Sequence, residues 1–102
     1  MNEQDALSAF SALSNPSRLN VVRLLVKASP DGMPAGEIAE ALSASPSQTS
    51  FHLSALSESG LIASQRQARH MIYRVNFDAF RGLVGFLLED CCKGAVRPGD
   101  CC

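Results

Sequence analysis

Residues 45–60 of the chain read SPSQTSFHLSALSESG, and this segment predicts one well-delimited helix. Its first four residues match a capping box, with Ser45 as the N-cap and Gln48 reaching back to it. Gly60 suits the residue after a helix C-terminus. Three residues recur at the i, i+4, i+7 spacing of a buried stripe, namely Thr49, Leu53 and Leu56. We therefore predict an amphipathic helix over residues 46–59 whose other face points outward.

The segments on either side of this helix predict a helix-turn-helix followed by a wing. Upstream, residues 34–43 (PAGEIAEALS) place Ile38 and Leu42 one helical turn apart, with almost no linker before the next helix. Two short helices joined by a tight turn are typical of a helix-turn-helix. Downstream, Met71–Val75 has strand alternation, and residues 61–66 can pair with it through a turn near Gln67–Arg69.

Two more helices are predicted before this unit. Residues 6–13 have helical spacing of apolar residues, at Leu7, Phe10 and Leu13. Asn15 can cap the next helix, with Pro16 in its first turn. The predicted inner face of that helix is Leu19, Val22, Leu25 and Val26. The following segment SPDGMP, residues 29–34, is expected to end it as a loop.

The last predicted helix begins after Asn76, and apolar side chains cover much of its circumference. They are Phe77, Phe80, Leu83, Val84, Leu87 and Leu88. So much apolar surface on a terminal helix indicates packing against a second subunit as well as its own domain. We therefore predict a mainly α fold with a β-hairpin, a winged helix-turn-helix whose last helix also packs against a second subunit. This domain would span residues 1–92, followed by a flexible tail, residues 93–102.

Charge is distributed unevenly along a chain that is nearly neutral overall. The 102 residues have a formal net charge of −1, which favours no particular partner. Residues 41–57 contain no charged side chain, whereas residues 59–77 contain three arginines, one histidine and no acid. The chain has no apolar run long enough for a membrane span, and the start of the chain does not resemble a signal peptide. We expect a cytoplasmic protein with no membrane partner and with reduced cysteines.

The uncharged outer face of the predicted 46–59 helix favours contact with the bases of double-stranded operator DNA. This face comprises Ser47, Gln48, Ser50, Phe51 and Ser54. Glutamine can pair with adenine, serine with several bases, and phenylalanine can contact a thymine methyl group. Phosphate contacts are expected from Arg66 and Arg69 on the wing, with help from Arg18.

Simpler interpretations of the same residues stay open at this point. A face rich in serine and glutamine is often only solvated, and Phe51 could pack against the wing instead. His52 adjoins the buried stripe and is expected to be a partly buried structural histidine. The chain has no Cys-x-x-Cys motif, no βαβ pattern and no Ser/His/Asp arrangement, so an enzyme is not predicted.

Two stretches resemble the ArsR/SmtB family of bacterial winged-helix repressors. They are ALSNPSRLNVVRLL, residues 12–25, and GEIAEALSASPSQTSFHLSALSESGLIASQRQARHMIYRV, residues 36–75. The resemblance extends over Ala6–Phe80 and is most specific between Ser47 and Leu61. It implies a homodimer joined through the first and last helices. It also implies an operator with twofold character, bound without ligand and released when a metal or metalloid binds.

The chain departs from this family where many members bind metal. The stretch GMPAGEIAE, residues 32–40, has no thiol where relatives carry Cys-x-Cys, and Phe77–Leu88 contains Asp78 but no histidine. The hairpin turn also has Ala68 where relatives often have glycine. The candidate sensor is therefore the cysteine-rich end of the chain. Its arrangement of cysteines is similar to that of a subgroup of arsenic-responsive repressors. Its candidate ligands are Cys91, Cys92, Cys101 and Cys102.

Thiolates prefer soft or thiophilic ions, and As(III) takes three of them in a pyramid. We predict As(III) as the inducer, held by Cys91, Cys92 and one of Cys101 or Cys102. A four-thiolate Zn²⁺ or Cd²⁺ site, Pb²⁺ binding, a two-thiol site for a methylated arsenical, and a thiol redox switch are alternatives. Incidental cysteines in a tail with no function remain the simplest interpretation.

Overall fold

A computed structural model describes residues 1–89 as five helices around a small three-stranded sheet. The elements in chain order are α1 Glu3–Leu13, α2 Pro16–Lys27, β1 Met33–Pro34, α3 Ala35–Leu42, α4 Pro46–Glu58, β2 Ile62–Gln67, β3 His70–Val75 and α5 Phe77–Leu87. This arrangement confirms the predicted winged helix-turn-helix, with α3 and α4 as the motif and β2–β3 as the wing. The proposed domain boundary at residue 92 and the tail lie outside the described residues.

Local side-chain caps place the starts of three helices where the sequence predicted them. Asn15 Oδ1 accepts hydrogen bonds from the backbone N–H groups of Ser17 (2.9 Å) and Arg18 (3.2 Å) at the start of α2. Ser45 closes the predicted capping box of α4, and Asn76 Oδ1 accepts from the backbone of α5 at 3.3 Å. Each cap supplies a partner for backbone N–H groups that the helix itself cannot satisfy. The helix starts are therefore determined by residues adjacent to them.

The wing is a tight hairpin whose strands pair from Ile62↔Val75 to Gln67↔His70. The intervening turn places Ala68 at φ +54°, in the left-handed region that disfavours a residue with a Cβ atom. The strand β1 was not predicted, and treating residues 29–34 only as a loop was wrong. Met33 lies opposite Tyr73 in an antiparallel pairing with β3. A strand of two residues is too short to show an alternating pattern in the sequence. Its formation therefore depends on pairing with β3.

The core lies beneath α4 and the sheet. Its largest fully buried side chains are Leu25, Ile38, Leu53, Leu56, Leu61 and Val21. The predicted α4 stripe is confirmed, because Thr49, Leu53 and Leu56 are all buried. These positions bring α4 against the rest of the domain and leave its opposite face free.

The predicted inner faces of α1 and α2 were partly wrong. In α1 the buried residues are Ala6, Ala9 and Ala12, whereas Leu7 is 59% exposed and Phe10 is also exposed. The small alanines allow α1 to pack closely against α2, α4 and α5. In α2, Val21 joins Val22 and Leu25 in the core, and the predicted Leu19 and Val26 are exposed instead. Over residues 1–89 no helix has both the length and the apolar character needed to cross a membrane.

Candidate nucleic-acid interface

The outer face of α4 presents small polar groups and one large aromatic ring to solvent. All five predicted base-reading residues lie on it and are exposed, namely Ser47, Gln48, Ser50, Phe51 and Ser54. Phe51 is 63% exposed, which makes it the most exposed large apolar side chain among the described residues. Because this face has no charged side chain, it can approach base edges without burying an unpaired charge. The structure therefore brings the predicted base-reading residues together on one surface.

Gln48 has a structural role as well as a place on this surface. Its side-chain Oε1 accepts a hydrogen bond from the backbone N–H of Ser45 at 3.3 Å, and Ser45 Oγ accepts from the Gln48 N–H at 3.1 Å. This reciprocal pair is the predicted capping box. A bidentate contact to adenine needs both the amide oxygen and the amide nitrogen. The capping bond uses one lone pair of the Gln48 Oε1, so such a contact would use the second lone pair together with the amide nitrogen.

Arg18 was expected to help hold phosphates, and the structure places it against α4. It is half-buried, and its Nε donates a hydrogen bond to Nδ1 of His52 at 3.2 Å. Its guanidinium carbon lies 5.5 Å from the centre of the Phe51 ring. The Phe51 and His52 rings meet edge to face, with centroids 5.5 Å apart and planes at 62°. We call Arg18, Phe51 and His52 the aromatic clamp.

The clamp is a feature that the sequence analysis missed. His52 was predicted to be partly buried, and it is. Its partner Arg18 stands 34 residues earlier in the chain, on a different helix. Helical periodicity within α2 or α4 contains no signal for such a pair, because the pair depends on how the two helices pack.

The wing carries the two other predicted phosphate contacts at its far end. Arg66 is exposed near the end of β2, and Arg69 is exposed in the turn. Within residues 1–89 neither side chain forms an ion pair, so both remain free to meet phosphates. Arg74 differs, because its Nε donates to the carbonyl oxygen of Pro30 at 3.1 Å and its Nη1 donates to Gln65 Oε1 at 3.3 Å. Arg74 therefore holds the wing to the loop that precedes β1.

The structure does not describe the residues that were predicted to bind a metalloid. Cys91, Cys92, Cys101 and Cys102 lie outside the described residues. In the part of the chain that the structure describes, no group of three or more His, Cys, Asp or Glu side chains is arranged to hold a metal ion.

Comparisons with known proteins agree with this architecture. A family model described as a helix-turn-helix domain matches residues 13–65. The HTH-type transcriptional regulator YgaV of Escherichia coli (strain K12) is 34% identical over 89 residues, which cover 87% of this chain and 88% of YgaV. The family-model match covers the helix-turn-helix and ends within β2.

Solved structures extend the agreement to three dimensions. An ArsR-like transcriptional regulator from Rhodococcus sp. RHA1 is 27% identical with a TM-score of 0.74, covering 84% of this chain and 77% of the other. NolR from Sinorhizobium fredii is 32% identical with a TM-score of 0.67, covering 90% of this chain and 88% of NolR. With the exposed face of α4 and the wing beside it, these findings place the chain in the ArsR family of winged-helix transcriptional regulators.

Proposed function

We propose that this chain is a repressor that binds double-stranded operator DNA as a homodimer and leaves it when an inducer binds. The observation that carries the DNA-binding part is the uncharged face of α4 beside the exposed arginines of the wing. In this proposal α4 enters the major groove, where base edges are distinguishable, and Arg66 and Arg69 contact phosphates. Uncharged residues would then select the sequence, while the wing arginines would supply much of the electrostatic affinity.

The homodimer part is supported by exposed apolar side chains on two helices that pack against each other, α1 and α5. They are Leu7, Phe10, Phe77, Val84 and Leu87, and Leu88 directly after α5 is exposed as well. Large apolar side chains exposed on two packed helices of a small domain commonly mark an interface. A second copy presenting the same surface would cover it with twofold symmetry. The two α4 helices would then face half-sites about 10 base pairs apart, or a multiple of that distance, in an operator with twofold character.

The inducer part concerns As(III), bound by Cys91, Cys92 and one of Cys101 or Cys102. Its support is the position of the thiols in the chain, because Cys91 follows Leu88 of the proposed interface by three residues. A ligand bound by thiols so close in the chain to α5 would act on the helix proposed to join the two subunits. A coupling of about 1–3 kcal/mol between the two sites is common in allosteric proteins. Other soft metals, a methylated arsenical and a thiol redox change are the alternatives that the same thiols allow.

The first test is DNA binding itself, measured by fluorescence anisotropy with a duplex selected from a random pool. If two copies contact phosphates through Arg66 and Arg69, log K against log salt should have a slope of about −4 or steeper. Arg66→Ala should make the slope shallower by about one for each copy, whereas Glu58→Gln at the end of α4 should not. A duplex affinity independent of salt would contradict the proposal.

The second test adds arsenite to the preformed complex. Arsenite should release the wild-type protein, and Cys91→Ser or Cys92→Ser should block release while leaving DNA affinity without arsenite unchanged. Cys101→Ser and Cys102→Ser, compared individually, should identify the third ligand. If arsenite leaves wild-type binding unchanged while Cd²⁺ or an oxidant releases DNA, the inducer assignment is wrong and the DNA-binding proposal stands.

A further inference from the structure

We infer that Arg18 is a positioning residue for recognition rather than a phosphate ligand: together with His52 it holds the Phe51 ring where it can contact a thymine methyl group. The inference rests on the proposed function, because it requires α4 to lie in the major groove. It departs from the sequence-based expectation that Arg18 helps to contact the phosphates of the DNA. The structural observation behind it is the aromatic clamp, which joins the start of α2 to the centre of α4.

Two donors of Arg18, its backbone N–H and its Nε, already have partners within the protein. Its backbone N–H donates to Asn15 Oδ1 at 3.2 Å, and its Nε donates to His52 Nδ1 at 3.2 Å. Its side chain is half-buried, whereas Arg66 and Arg69 are exposed. A phosphate ligand at the surface gains from an unrestrained guanidinium, as the wing arginines have. Arg18 instead places its guanidinium carbon over the Phe51 ring and donates from its Nε to an imidazole.

The other two side chains of the clamp, Arg18 and His52, both contact the Phe51 ring. The Arg18 guanidinium carbon lies 5.5 Å from the ring centre, within the range of a cation–π contact. The His52 ring, also 5.5 Å away at 62°, meets it edge to face. A phenyl ring that is 63% exposed would otherwise sample several rotamers. Restricting it before binding lowers the entropy lost when it packs against a base.

The chemistry of the clamp requires arginine and a hydrogen-bond acceptor. Arginine Nε can only donate, so His52 Nδ1 is the acceptor in this bond. Lysine carries the same charge but has no planar group that can donate from one edge while a ring packs on its face. A phosphate contact tolerates lysine, whereas the clamp does not. Arg18→Lys therefore separates the two roles.

The experiment measures how much each protein gains from a thymine methyl group. Each thymine of the selected duplex is replaced in turn by deoxyuridine, which lacks only that methyl group. For the wild type, one position in each half-site should lose affinity about fourfold, the factor expected from burying one such carbon. Phe51→Ala should abolish this loss at that position and leave the other positions unchanged.

The variants of the clamp should follow Phe51→Ala at the same position. Arg18→Lys and His52→Leu should reduce the fourfold loss to less than twofold. His52→Asn, whose Oδ1 occupies the place of Nδ1 as an acceptor, should retain more of the loss than His52→Leu. Arg18→Ala should leave the salt slope unchanged, in contrast to Arg66→Ala, and thermal melting of every variant checks that the fold persists.

Three results would overturn the inference. The first is full methyl discrimination in Arg18→Lys, and the second is a salt slope reduced in Arg18→Ala as much as in Arg66→Ala. The first would show that Phe51 does not need Arg18 to hold it in place, and the second would make Arg18 a phosphate ligand. The third is salt-dependent binding by the wild type with no loss at any deoxyuridine, which rejects the Phe51 contact and leaves the proposed function intact. If the wild type bound no duplex, the proposed function would fail first.

Discussion

Gln48 and Ser45 hold each other at the start of α4, with the Gln48 Oε1 and the Ser45 backbone nitrogen 3.3 Å apart. The reciprocal bond, from the Gln48 N–H to Ser45 Oγ, is 3.1 Å long. The same glutamine lies on the surface proposed to meet base edges. One side chain thus has two possible partners, a cap within the protein and a base outside it.

This relationship predicts that Gln48→Glu separates capping from base recognition. A carboxylate can accept from the Ser45 N–H and is favoured near a helix N-terminus, so the free energy of unfolding should change by less than about 0.5 kcal/mol. The carboxylate has no N–H to donate to adenine and is repelled by DNA, so affinity and operator discrimination should both fall. Urea unfolding and anisotropy with single-base operator variants measure the two effects.

Gln48→Ala serves as the companion variant, because it removes both functions. It should lose operator discrimination and also lose stability through the missing half of the capping box. If operator discrimination were the same in the wild type, Gln48→Glu and Gln48→Ala, Gln48 would be a capping residue with no role in base recognition.

Thr49 has a buried side-chain hydroxyl near the start of α4. The residue is 3% exposed, and in the described part of the chain its Oγ1 makes no hydrogen bond. Thr49→Val replaces this group with a methyl of similar size and should raise the free energy of unfolding by about 1 kcal/mol. Thr49→Ser is the control, since it keeps the hydroxyl, loses a buried methyl and should lower stability. A loss of stability in Thr49→Val would mean that the hydroxyl is satisfied in solution.

Gly32 and Gly36 predict opposite responses to alanine. Gly32 has φ +78°, and a Cβ there would lie 2.5 Å from the backbone oxygen of Tyr73, which the β1–β3 pairing holds in place. Gly32→Ala should therefore lower the free energy of unfolding by about 2 kcal/mol or more. A Cβ at Gly36 in α3 would meet nothing within 4 Å, so Gly36→Ala should stabilise by about 0.5–1 kcal/mol. Equal changes in urea unfolding would contradict the packing described for β1.

Leu87 and Leu19 test the proposed interface. Both are exposed leucines on helices, with Leu87 58% exposed on α5 and Leu19 45% exposed on α2. Leu87→Glu would place a charge within the apolar surface of α1 and α5 and should convert the dimer to a monomer. Leu19→Glu should leave the dimer intact. Light scattering coupled to size exclusion gives the masses, and dimers that persist in Leu87→Glu would place the interface elsewhere.

The four cysteines differ from these cases, because the prediction about them was made from the sequence and stays a prediction. Their spacing and position after α5 motivate an inducer site. The described residues contain no part of it, so the Cys→Ser series with arsenite is the direct test.

The sequence by itself determined the features of this protein that depend on neighbouring residues. The capping box at Ser45, the stop at Gly60 and the buried stripe of α4 depend on spacings of one to seven residues. The physics of helix ends and of a helical period acts over that range. The hairpin followed from alternation in the same way, apart from the exact ends of its strands.

Only the tertiary structure determined which helix faces stay exposed and which residues distant in the chain contact each other. The inward face of α1 consists of alanines rather than Leu7 and Phe10, because the neighbouring helices pack so closely that only small side chains fit between them. The Arg18–His52 hydrogen bond joins residues that are 34 positions apart in the chain. Met33 lies in a strand only because β3 pairs with it. Such contacts depend on how whole elements pack, and a periodic pattern within one element carries no information about its neighbour.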